Sequence, residues 1–422
     1  MPERVRGMQH SRVIYHIDCN GFYAAVECMS RPELLDVPMA VAGNPENRHG
    51  IILAKNEKAK AYGVKTAETI HQAKRKCPDL VLVPPHHDRY HEVSKQVKQI
   101  FYEYTDQVES FGLDEAWLDV TGSLRYFGAS PVELADRIRE RVKKEIGITV
   151  SVGVSYNKVF AKLGSDLKKP DATTLITPQN YQRRVWPLPV ESLLFVGRTA
   201  AQTLKSHYIH TIGDAARCQP DFLEKILGKG GETLWRYANG MDDSPVRRVG
   251  EEEPVKSIGN GMTFRRDLVG WEELKCGIVA LSDEVAARLR AQGVKCAAVQ
   301  ITVKNPALKS ITRQKQLSVP THLQKELVDT AMELLHENWQ PDAPVRALTV
   351  TAQNLVCDIH AQEQVRMQRP GQASLEKFER AEEAMQKLRL KYGRSCLMMG
   401  RAGNDAVGLV REPNEECITD GE

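Results

Sequence analysis

Acidic residues lie directly at the ends of apolar, β-branched segments in two parts of this chain. Asp18 follows the segment Arg12–Ile17, and the pair Asp114 and Glu115 lies within SFGLDEAWLDVT, between residues that should pack. Carboxylates held against packed strands are costly to bury unless they bind cations, and hard oxygen ligands suit a divalent metal ion. The residue types alone leave two interpretations equally open, a metal site or ordinary acids in turns.

The clearest predicted helix covers Pro131–Ile146. Ser130 is predicted as its N-cap, and Glu133 completes a capping box. Apolar residues recur every four positions along this segment, at Leu134, Ile138, Val142 and Ile146. An apolar strand is predicted next, over Ile148–Val154. This part of the chain therefore mixes helices and strands and carries carboxylates at strand ends, as a site built on a rigid sheet requires.

A second compact unit is predicted after a polar, proline-containing linker, MDDSPVRRVG at 241–250. The predicted order is β-α-β-β-α-β, which gives one sheet covered on one side by two helices. The predicted elements are a strand near Gly261–Leu268, a helix Trp271–Gln292, strands Ala298–Lys304 and Lys309–Leu317, a helix Thr321–Trp339 and a strand Val345–Leu355. One further helix is predicted over Ser374–Tyr392.

Composition limits the class of protein. With 422 residues, two to four domains are expected, and 27% charged against 41% hydrophobic residues is typical of a globular protein. The net charge of +3 does not by itself indicate a polyanion partner. The nine cysteines are scattered without metal-ligand spacing, which favours reduced thiols. Since no segment reaches the apolar length of a membrane span, a cytoplasmic location is expected.

Four segments together resemble the motifs of the Y-family, the lesion-bypass DNA polymerases, and in particular the DNA polymerase IV branch. Several spaced motifs in the right order are much more specific than a single match. The segments are IDCNGFYAAVE from Ile17, LDEAWLDVT from Leu113, SVGVSYNKVFAKLGSDLKKPD at Ser151–Asp171 and VKSIGNGMTF at Val255–Phe264.

This resemblance implies an α+β multidomain fold, a right-hand polymerase. It has a ferredoxin-like palm with inserted fingers, a small helical thumb with a helix-hairpin-helix, and a β-α-β-β-α-β little finger. The implied domains are a palm over 1–178 with fingers at about 24–80, a thumb over 179–240, a linker over 241–250, a little finger over 251–357 and a C-terminal helix with a flexible tail over 358–422.

The resemblance also implies a DNA-directed DNA polymerase, a nucleotidyltransferase that uses two Mg²⁺ ions. Asp18, Asp114 and Glu115 are then the catalytic and metal-binding carboxylates, and the backbone carbonyl of Cys19 touches one ion. Tyr23 corresponds to the steric gate, an aromatic ring that leaves no room for a ribose 2′-hydroxyl. Translesion synthesis in DNA repair is the implied role. Low fidelity is expected because no segment remains for a proofreading domain.

Three residues are implied to bind the incoming nucleotide: Phe22, Lys60 and Lys169. The fingers depart from the family pattern, because Glu57 stands where many relatives have Tyr and Lys60 where they have Arg. A lysine lacks the bidentate fork of arginine, and a glutamate would repel a triphosphate. Lys158 and Lys162 lie four residues apart on one predicted helix, where a solvated face and a direct role are equally open.

Primer-template DNA and deoxynucleoside triphosphates are the implied partners. DNA contacts are expected from Gly197, which lies in a hairpin where Phe195 occupies the position of the usual first glycine. Further DNA contacts are expected from basic residues of the little finger: Lys256, Arg265, Arg266, Arg313 and Lys315. A sliding clamp is a possible partner through Gln364–Gln368, although this segment lacks the aromatic anchor of such peptides. The chain is expected to be a monomer.

Two other functions compete with the polymerase interpretation. One is a catalytically impaired, polymerase-like DNA-binding scaffold, supported by the altered Glu57 and Lys60 positions. The other is a nucleotide cyclase, because palm-like sheets with paired carboxylates host that chemistry too. The hairpin and the basic little finger have no purpose in a cyclase.

Overall fold

The computed structural model describes residues 12–43, 50–251, 254–357, 372–393 and 396–397. The described residues form two compact units, one up to residue 251 and one from residue 254. Within these ranges, no helix combines the length and apolar character needed to cross a membrane.

The first unit contains eight strands and twelve α-helices, numbered here in chain order within its described residues. The strands are β1 (Ile14–Cys19), β2 (Met39–Ala42), β3 (Ile52–Lys55), β4 (Val81–Val83), β5 (Val108–Phe111), β6 (Glu115–Asp119), β7 (Val150–Ser155) and β8 (Thr173–Leu175). The helices are α1 (Phe22–Ser30), α2 (Glu57–Ala61), α3 (Ile70–Lys76), α4 (His87–Tyr102), α5 (Leu124–Phe127), α6 (Pro131–Glu145), α7 (Lys158–Leu167), α8 (Tyr181–Val185), α9 (Arg198–Ser206), α10 (Ile212–Arg217), α11 (Pro220–Leu227) and α12 (Gly230–Ala238).

A five-stranded sheet with the order β5-β6-β1-β7-β8 forms the centre of this unit. β1 lies in the middle, antiparallel to both β6 and β7, and all six of its residues are buried. One face of the sheet packs on α4 and α6 through a core that includes Tyr15, Ile17, Val97 and Ile138. The central position of β1 makes Asp18 part of a rigid element.

The capping box predicted for α6 is present. The side chain of Ser130 accepts a hydrogen bond from the backbone N–H of Glu133, and the Glu133 carboxylate accepts one from the N–H of Ser130. Leu134, Ile138 and Val142 are buried on one side of the helix, as their spacing predicts. This helix is therefore specified locally, by its cap and its apolar stripe.

Two of the further cores in the first unit lie around the small sheet and around the helices that follow β8. A three-stranded sheet, β3-β2-β4, packs with α2 and α3 around small residues such as Ala40, Ala59 and Ala73. The helices from α8 to α12 pack with α7 around Phe160, Ile212 and Leu223. Most of the latter core is helical and comes from the segment that the sequence assigns to a thumb.

The second unit has the predicted β-α-β-β-α-β order. The elements are β9 (Ser257–Leu268), α13 (Trp271–Ala291), β10 (Val294–Lys304), β11 (Ser310–Thr321), α14 (Gln324–Asn338) and β12 (Val345–Cys357), followed by α15 (Gln372–Tyr392). The sheet has the strand order β11-β10-β12-β9 and is antiparallel throughout. The two helices α13 and α14 share one core with one face of the sheet. The predicted α+β class with several sheets is confirmed.

The helix α15 makes polar contacts with the rest of the second unit. Glu382 is buried; its carboxylate pairs with Arg290 on α13 and accepts a hydrogen bond from the backbone N–H of Gln324, at the start of α14. Arg389 pairs with Asp283 on α13 at 2.8 Å. α15 is thus tied to both helices of the layer.

Candidate active site

Asp18 and Glu115 are direct partners in the antiparallel pair of β1 and β6. The third acid, Asp114, immediately precedes β6, and its backbone carbonyl accepts a hydrogen bond from the N–H of Cys19 at 2.9 Å. Partners in a register lie on the same face of a sheet. The fold therefore brings together, at one end of two neighbouring strands, acids that are almost a hundred positions apart in the chain.

Glu115 is held by two cationic or polar groups. Its Oε2 atom lies 3.1 Å from Nε2 of the buried His16 and also contacts Nζ of Lys162. Nδ1 of His16 in turn lies 2.8 Å from Oγ of Ser165. Burial alone would raise the pKa of Glu115, but the hydrogen bonds of His16 and Lys162 outweigh it and hold that pKa below its usual value.

Asp18 is paired with Lys169, which the sequence assigns to the triphosphate. Nζ of Lys169 lies 2.7 Å from Oδ2 of Asp18 and 2.9 Å from Oδ1 of Asp166. Burial raises the pKa of Asp18 despite this pair, and the charges of Glu115 and Asp114 add to the increase. Burial and the charge of Glu115 likewise raise the pKa of Asp114. The site thus concentrates negative charge that cations must stabilise.

The donor set at this site fits a hard divalent cation. Asp18, Asp114 and Glu115 offer only carboxylate oxygens, the ligands that Mg²⁺ prefers. In the part of the chain that the structure describes, no three acidic, histidine or cysteine side chains converge in metal-binding geometry. The oxygens of Asp18 and Glu115 instead contact the ammonium groups of Lys169 and Lys162. A metal ion would take over the charge neutralisation that these lysines supply.

Lys158 and Lys162 do not form a solvated helix face. Nζ of Lys158 lies 2.7 Å from both carboxylate oxygens of Glu109 and 4.6 Å from the centre of the Trp117 ring. Glu109 also accepts hydrogen bonds from the backbone N–H and the guanidinium of Arg247. Of the two interpretations that the sequence left open, the solvated face is therefore wrong. Lys162 contacts a predicted metal ligand, and Lys158 anchors α7 to β5.

Asn20 connects two parts of the site. Its Nδ2 donates to Oγ of Ser151 on β7, and its Oδ1 accepts from the backbone N–H of Asp171, both at 2.9 Å. The second bond fixes the loop that carries Lys169. Neither Asn20 nor His16 was singled out from the sequence. Their partners lie more than ninety positions away in the chain. The one local signal that could have drawn attention to them is that each lies two residues from Asp18.

The two aromatic residues at the start of α1 have different environments. Phe22 is buried in the core of the five-stranded sheet, whereas Tyr23 is half-buried. The ring of Tyr23 stacks on Tyr90, with centroids 4.1 Å apart and planes inclined by 13°. Of this pair, Tyr23 is therefore the residue that is partly exposed.

In the fingers segment, Lys60 is paired within its own helix. Its Nζ lies 3.2 Å from both carboxylate oxygens of Glu57, and both side chains are exposed. Glu57 and Lys60, the two positions that the sequence singled out in this segment, thus neutralise each other. A triphosphate would have to compete with Glu57 for Lys60.

Gly197 is the N-cap residue of α9, and no side chain caps this helix end. Phe195, two residues earlier, has φ 68° and is 74% exposed. It therefore adopts a left-handed backbone conformation, which favours glycine.

The basic residues of the second unit lie on different sides of its sheet. Arg313 and Lys315 are register partners of Ile301 and Val299, which belong to the core, and they contact Asn338 and Glu333 on α14. These two residues therefore lie on the helix-covered side.

On β9, Arg265 alternates with the buried Phe264 and is exposed. Its neighbour Arg266 bonds to Glu273 on α13 at 2.6 and 2.8 Å. Lys256 is exposed just before β9. The candidate clamp segment Gln364–Gln368 lies outside the described residues.

The fold of the described residues is that of the Y-family DNA polymerases. The structure is similar to a solved "Y-family DNA polymerase chimera" with a TM-score of 0.71 and 24% sequence identity, covering 82% of this chain and 99% of that chain. This likeness shows the fold and confirms the predicted right-hand polymerase class.

The family follows from the sequence comparisons. The model of the impB/mucB/samB family matches residues 17–166, and the model of that family's C-terminal domain matches residues 255–368. The chain belongs to the impB/mucB/samB family. A relative from Acetivibrio thermocellus named DNA polymerase IV is 51% identical over 345 residues, 82% of this chain and 86% of the relative. Another of that name, from Clostridium kluyveri, is 37% identical over 92% of this chain and 98% of its own length.

Proposed function

We propose that Asp18, Asp114 and Glu115 are the catalytic carboxylates of a template-directed DNA polymerase, which adds deoxynucleotides to a primer 3′ end. The chain is a DNA-directed DNA polymerase of the DNA polymerase IV type, since relatives of that name match it along most of both lengths. Translesion synthesis is the role of this class. The observation that carries the catalytic assignment is the direct register of Asp18 and Glu115, with Asp114 adjoining it.

A divalent metal ion is a general requirement of this class, and we assign two Mg²⁺ ions to the three carboxylates and the carbonyl of Cys19. Such ions would supply Lewis-acid activation of the primer 3′-hydroxyl and charge stabilisation of the departing pyrophosphate. The protein holds Asp18 and Glu115 on neighbouring central strands, so their positions are fixed before substrate arrives. His16 and Ser165 orient the Glu115 carboxylate from inside the fold.

The two lysines at the site have a second partner when nucleotide binds. Lys169 pairs with Asp18 in the structure, and a metal ion on Asp18 would leave its ammonium group available to the triphosphate. Lys162 pairs with Glu115, and a metal ion on Glu115 would likewise leave the Lys162 ammonium group available to the triphosphate. Lys60 is the fingers contact in this proposal, weakened by Glu57. Phe22 supports the nucleotide site from the core, and Tyr23 excludes the 2′-hydroxyl.

DNA is the macromolecular substrate, and we assign the α9 hairpin at Gly197 to a backbone phosphate, with Lys256 and Arg265 on the second unit. Arg266, Arg313 and Lys315 stay predictions as DNA contacts, since each already bonds within its unit. The domain boundaries, deoxynucleoside triphosphates, the monomeric state, clamp binding and the cytoplasmic location are likewise predictions.

Primer extension with Mg²⁺ tests the catalytic assignment. Asp114→Ala and Glu115→Ala should each lower the extension rate by about 10³-fold or more, because a metal ligand is lost. The variant Asp221→Asn, an exposed acid on α11, is the matched control and should keep the wild-type rate. Wild-type protein that binds primer-template but adds no nucleotide would instead support the impaired scaffold.

A further inference from the structure

A fully buried carboxylate lies on α1, the helix that also carries Tyr23, and is not one of the proposed metal ligands. Glu27 on α1 is 0% exposed. Its Oε1 accepts a hydrogen bond from the hydroxyl of Tyr90 at 2.6 Å and lies 2.8 Å from Nδ1 of His86. Its Oε2 accepts a hydrogen bond from Arg31 at 2.8 Å. Burial alone would raise the pKa of Glu27, but these three bonds lower it, so the carboxylate is a fixed, charged acceptor.

The main consequence of this arrangement concerns Tyr90. Its side chain is completely buried, and its hydroxyl is satisfied by Glu27. A buried hydroxyl without a partner is costly, so the bond to Glu27 fixes the position of the hydroxyl end of the ring. Burial raises the pKa of Tyr90, and the Glu27 charge adds to that effect, so the phenol stays protonated and donates.

The face of the Tyr90 ring supports Tyr23. The rings are nearly parallel, 4.1 Å apart, and His87 contacts both edge-on at 5.8 Å from Tyr23 and 5.6 Å from Tyr90. A stacked ring that cannot recede limits how far Tyr23 can move away from the site. A steric gate discriminates only if it does not yield, because a shift of about 1 Å would admit a hydroxyl group.

We propose that Glu27 and Tyr90 are positioning residues for sugar discrimination, holding the Tyr23 ring in place through the stacked pair. Glu27 holds Tyr90 through the hydrogen bond to its hydroxyl, and Tyr90 in turn restrains Tyr23 through the ring stack. Neither side chain needs to touch the nucleotide for this role. The role rests on the proposed gate function of Tyr23, and the experiment separates the two.

The test is single-nucleotide incorporation by the full-length chain on primer-template DNA with Mg²⁺. The quantity measured is the ratio of kcat/KM for a deoxynucleotide to kcat/KM for the matching ribonucleotide. Tyr90→Phe removes only the hydroxyl and keeps the ring, and Glu27→Gln removes only the charge. Each should lower the ratio by about tenfold, mainly through a higher kcat/KM for the ribonucleotide. Tyr126→Phe, at a residue that is 86% exposed, is the matched control and should leave the ratio unchanged.

A double variant distinguishes positioning from a general structural effect. In the Tyr23→Ala background the gate ring is absent, so adding Tyr90→Phe should not lower the ratio further. If it lowers the ratio equally with and without Tyr23, Tyr90 acts by another route and the inference is overturned. Thermal unfolding followed by circular dichroism accompanies each variant. Should Glu27→Gln fail to fold, the milder Tyr90→Phe decides.

The remaining outcomes separate this inference from the gate itself. If Tyr23→Ala lowers the ratio while Tyr90→Phe and Glu27→Gln keep the wild-type value, Tyr23 is the gate and the positioning role is wrong. If Tyr23→Ala also keeps the wild-type ratio, Tyr23 is not the steric gate.

Discussion

Asp18 on β1 and Glu115 on β6 stand directly opposite each other in an antiparallel register. Like charges in such positions destabilise a sheet. In this chain each acid is paired with its own lysine, Lys169 for Asp18 and Lys162 for Glu115. Since a metal ion and an ammonium group neutralise the same carboxylate, metal binding and these ion pairs are in competition.

The competition at Glu115 can be measured by removing the lysine. Lys162→Met should strengthen Mn²⁺ binding to the nucleotide-free protein by about tenfold, because a competing charge is lost while the carboxylate stays. Electron paramagnetic resonance of free Mn²⁺ gives the affinity. Lys74→Met, at an exposed lysine on α3, should leave it unchanged. Weaker binding in Lys162→Met would show that Lys162 helps to hold the metal site in shape.

The ion pairs of Glu109 should make part of the stability of the first unit sensitive to acid. Burial would raise the pKa of Glu109, but hydrogen bonds from Lys158 and Arg247 lower it below the ordinary 4.5. A carboxylate with a lowered folded-state pKa stabilises the fold above its unfolded-state pKa, and this contribution disappears as the pH falls through the folded-state value. Stability should therefore decrease below about pH 4.5, the ordinary pKa of this residue.

Urea unfolding across this pH range tests the effect. Glu109→Gln should lower the free energy of unfolding at neutral pH by about 3 kcal/mol, since Lys158 loses its buried partner, and should flatten the acid limb. The exposed pair of Glu145 and Arg141 provides the control, because Glu145→Gln should cost less than about 0.5 kcal/mol. An acid limb in Glu109→Gln as steep as in wild type would contradict the prediction.

A close contact between β7 and α7 positions the lysines of the site. A Cβ atom on Gly153 would lie 1.8 Å from the carbonyl oxygen of Ala161 and 2.5 Å from the backbone nitrogen of Ser165. Gly153→Ala must therefore push α7 away from the sheet, displacing Lys158 and Lys162. We expect a loss of about 3 kcal/mol in stability together with a severe loss of primer extension.

The matched control for this change is Gly122→Ala. A Cβ atom there meets nothing within 4 Å, and the residue has no left-handed backbone conformation. Thermal unfolding and primer extension of both variants decide the question. Wild-type behaviour of Gly153→Ala would show that α7 can shift without moving its lysines away from Glu109 and Glu115.

Local signals in the sequence predicted the elements better than the contacts between them. The capping box of Ser130 and Glu133 depends on residues three positions apart, so it could be read directly, and so could the alternating strands of the second unit. The contact of Lys162 with Glu115 depends on how α7 crosses the sheet, which no local pattern specifies.

The same limit explains the part of the site that sequence reasoning missed. The Tyr90–Glu27 hydrogen bond joins residues 63 positions apart, and the Asp171–Asn20 bond joins residues 151 apart. Side-chain direction was a further limit. The alternation of Arg313 and Lys315 predicted a shared face, but only the pairing with Val299 and Ile301 identifies that face as the helix-covered one.

In the second unit, Glu382 should act as an N-cap supplied from another helix. α14 has no side-chain cap of its own, and the Glu382 carboxylate accepts the N–H of Gln324 at 3.1 Å while pairing with Arg290. Glu382→Ala should lower the stability of this unit by about 3 kcal/mol, because both the cap and the partner of a buried arginine are lost.

Hydrogen exchange of the α14 backbone amides measures the loss of this cap directly. The control is Glu383→Ala, the neighbouring exposed glutamate of α15, which should change the stability by less than about 0.5 kcal/mol. Protection of α14 in Glu382→Ala equal to that in wild type would refute the capping role.

The strained hairpin before α9 gives a prediction in the opposite direction, a gain in stability. Phe195 has φ 68°, a conformation that costs a residue with a Cβ atom about 1–2 kcal/mol and glycine almost nothing. Its ring is largely exposed, so little packing is lost on removal. Phe195→Gly should raise the free energy of unfolding by about 1 kcal/mol after the entropy cost of glycine. Phe195→Ala keeps the Cβ atom and the strain, so it should not stabilise. Urea unfolding of the two variants separates relief of backbone strain from removal of an exposed ring, and equal stability of both would assign the effect to the ring.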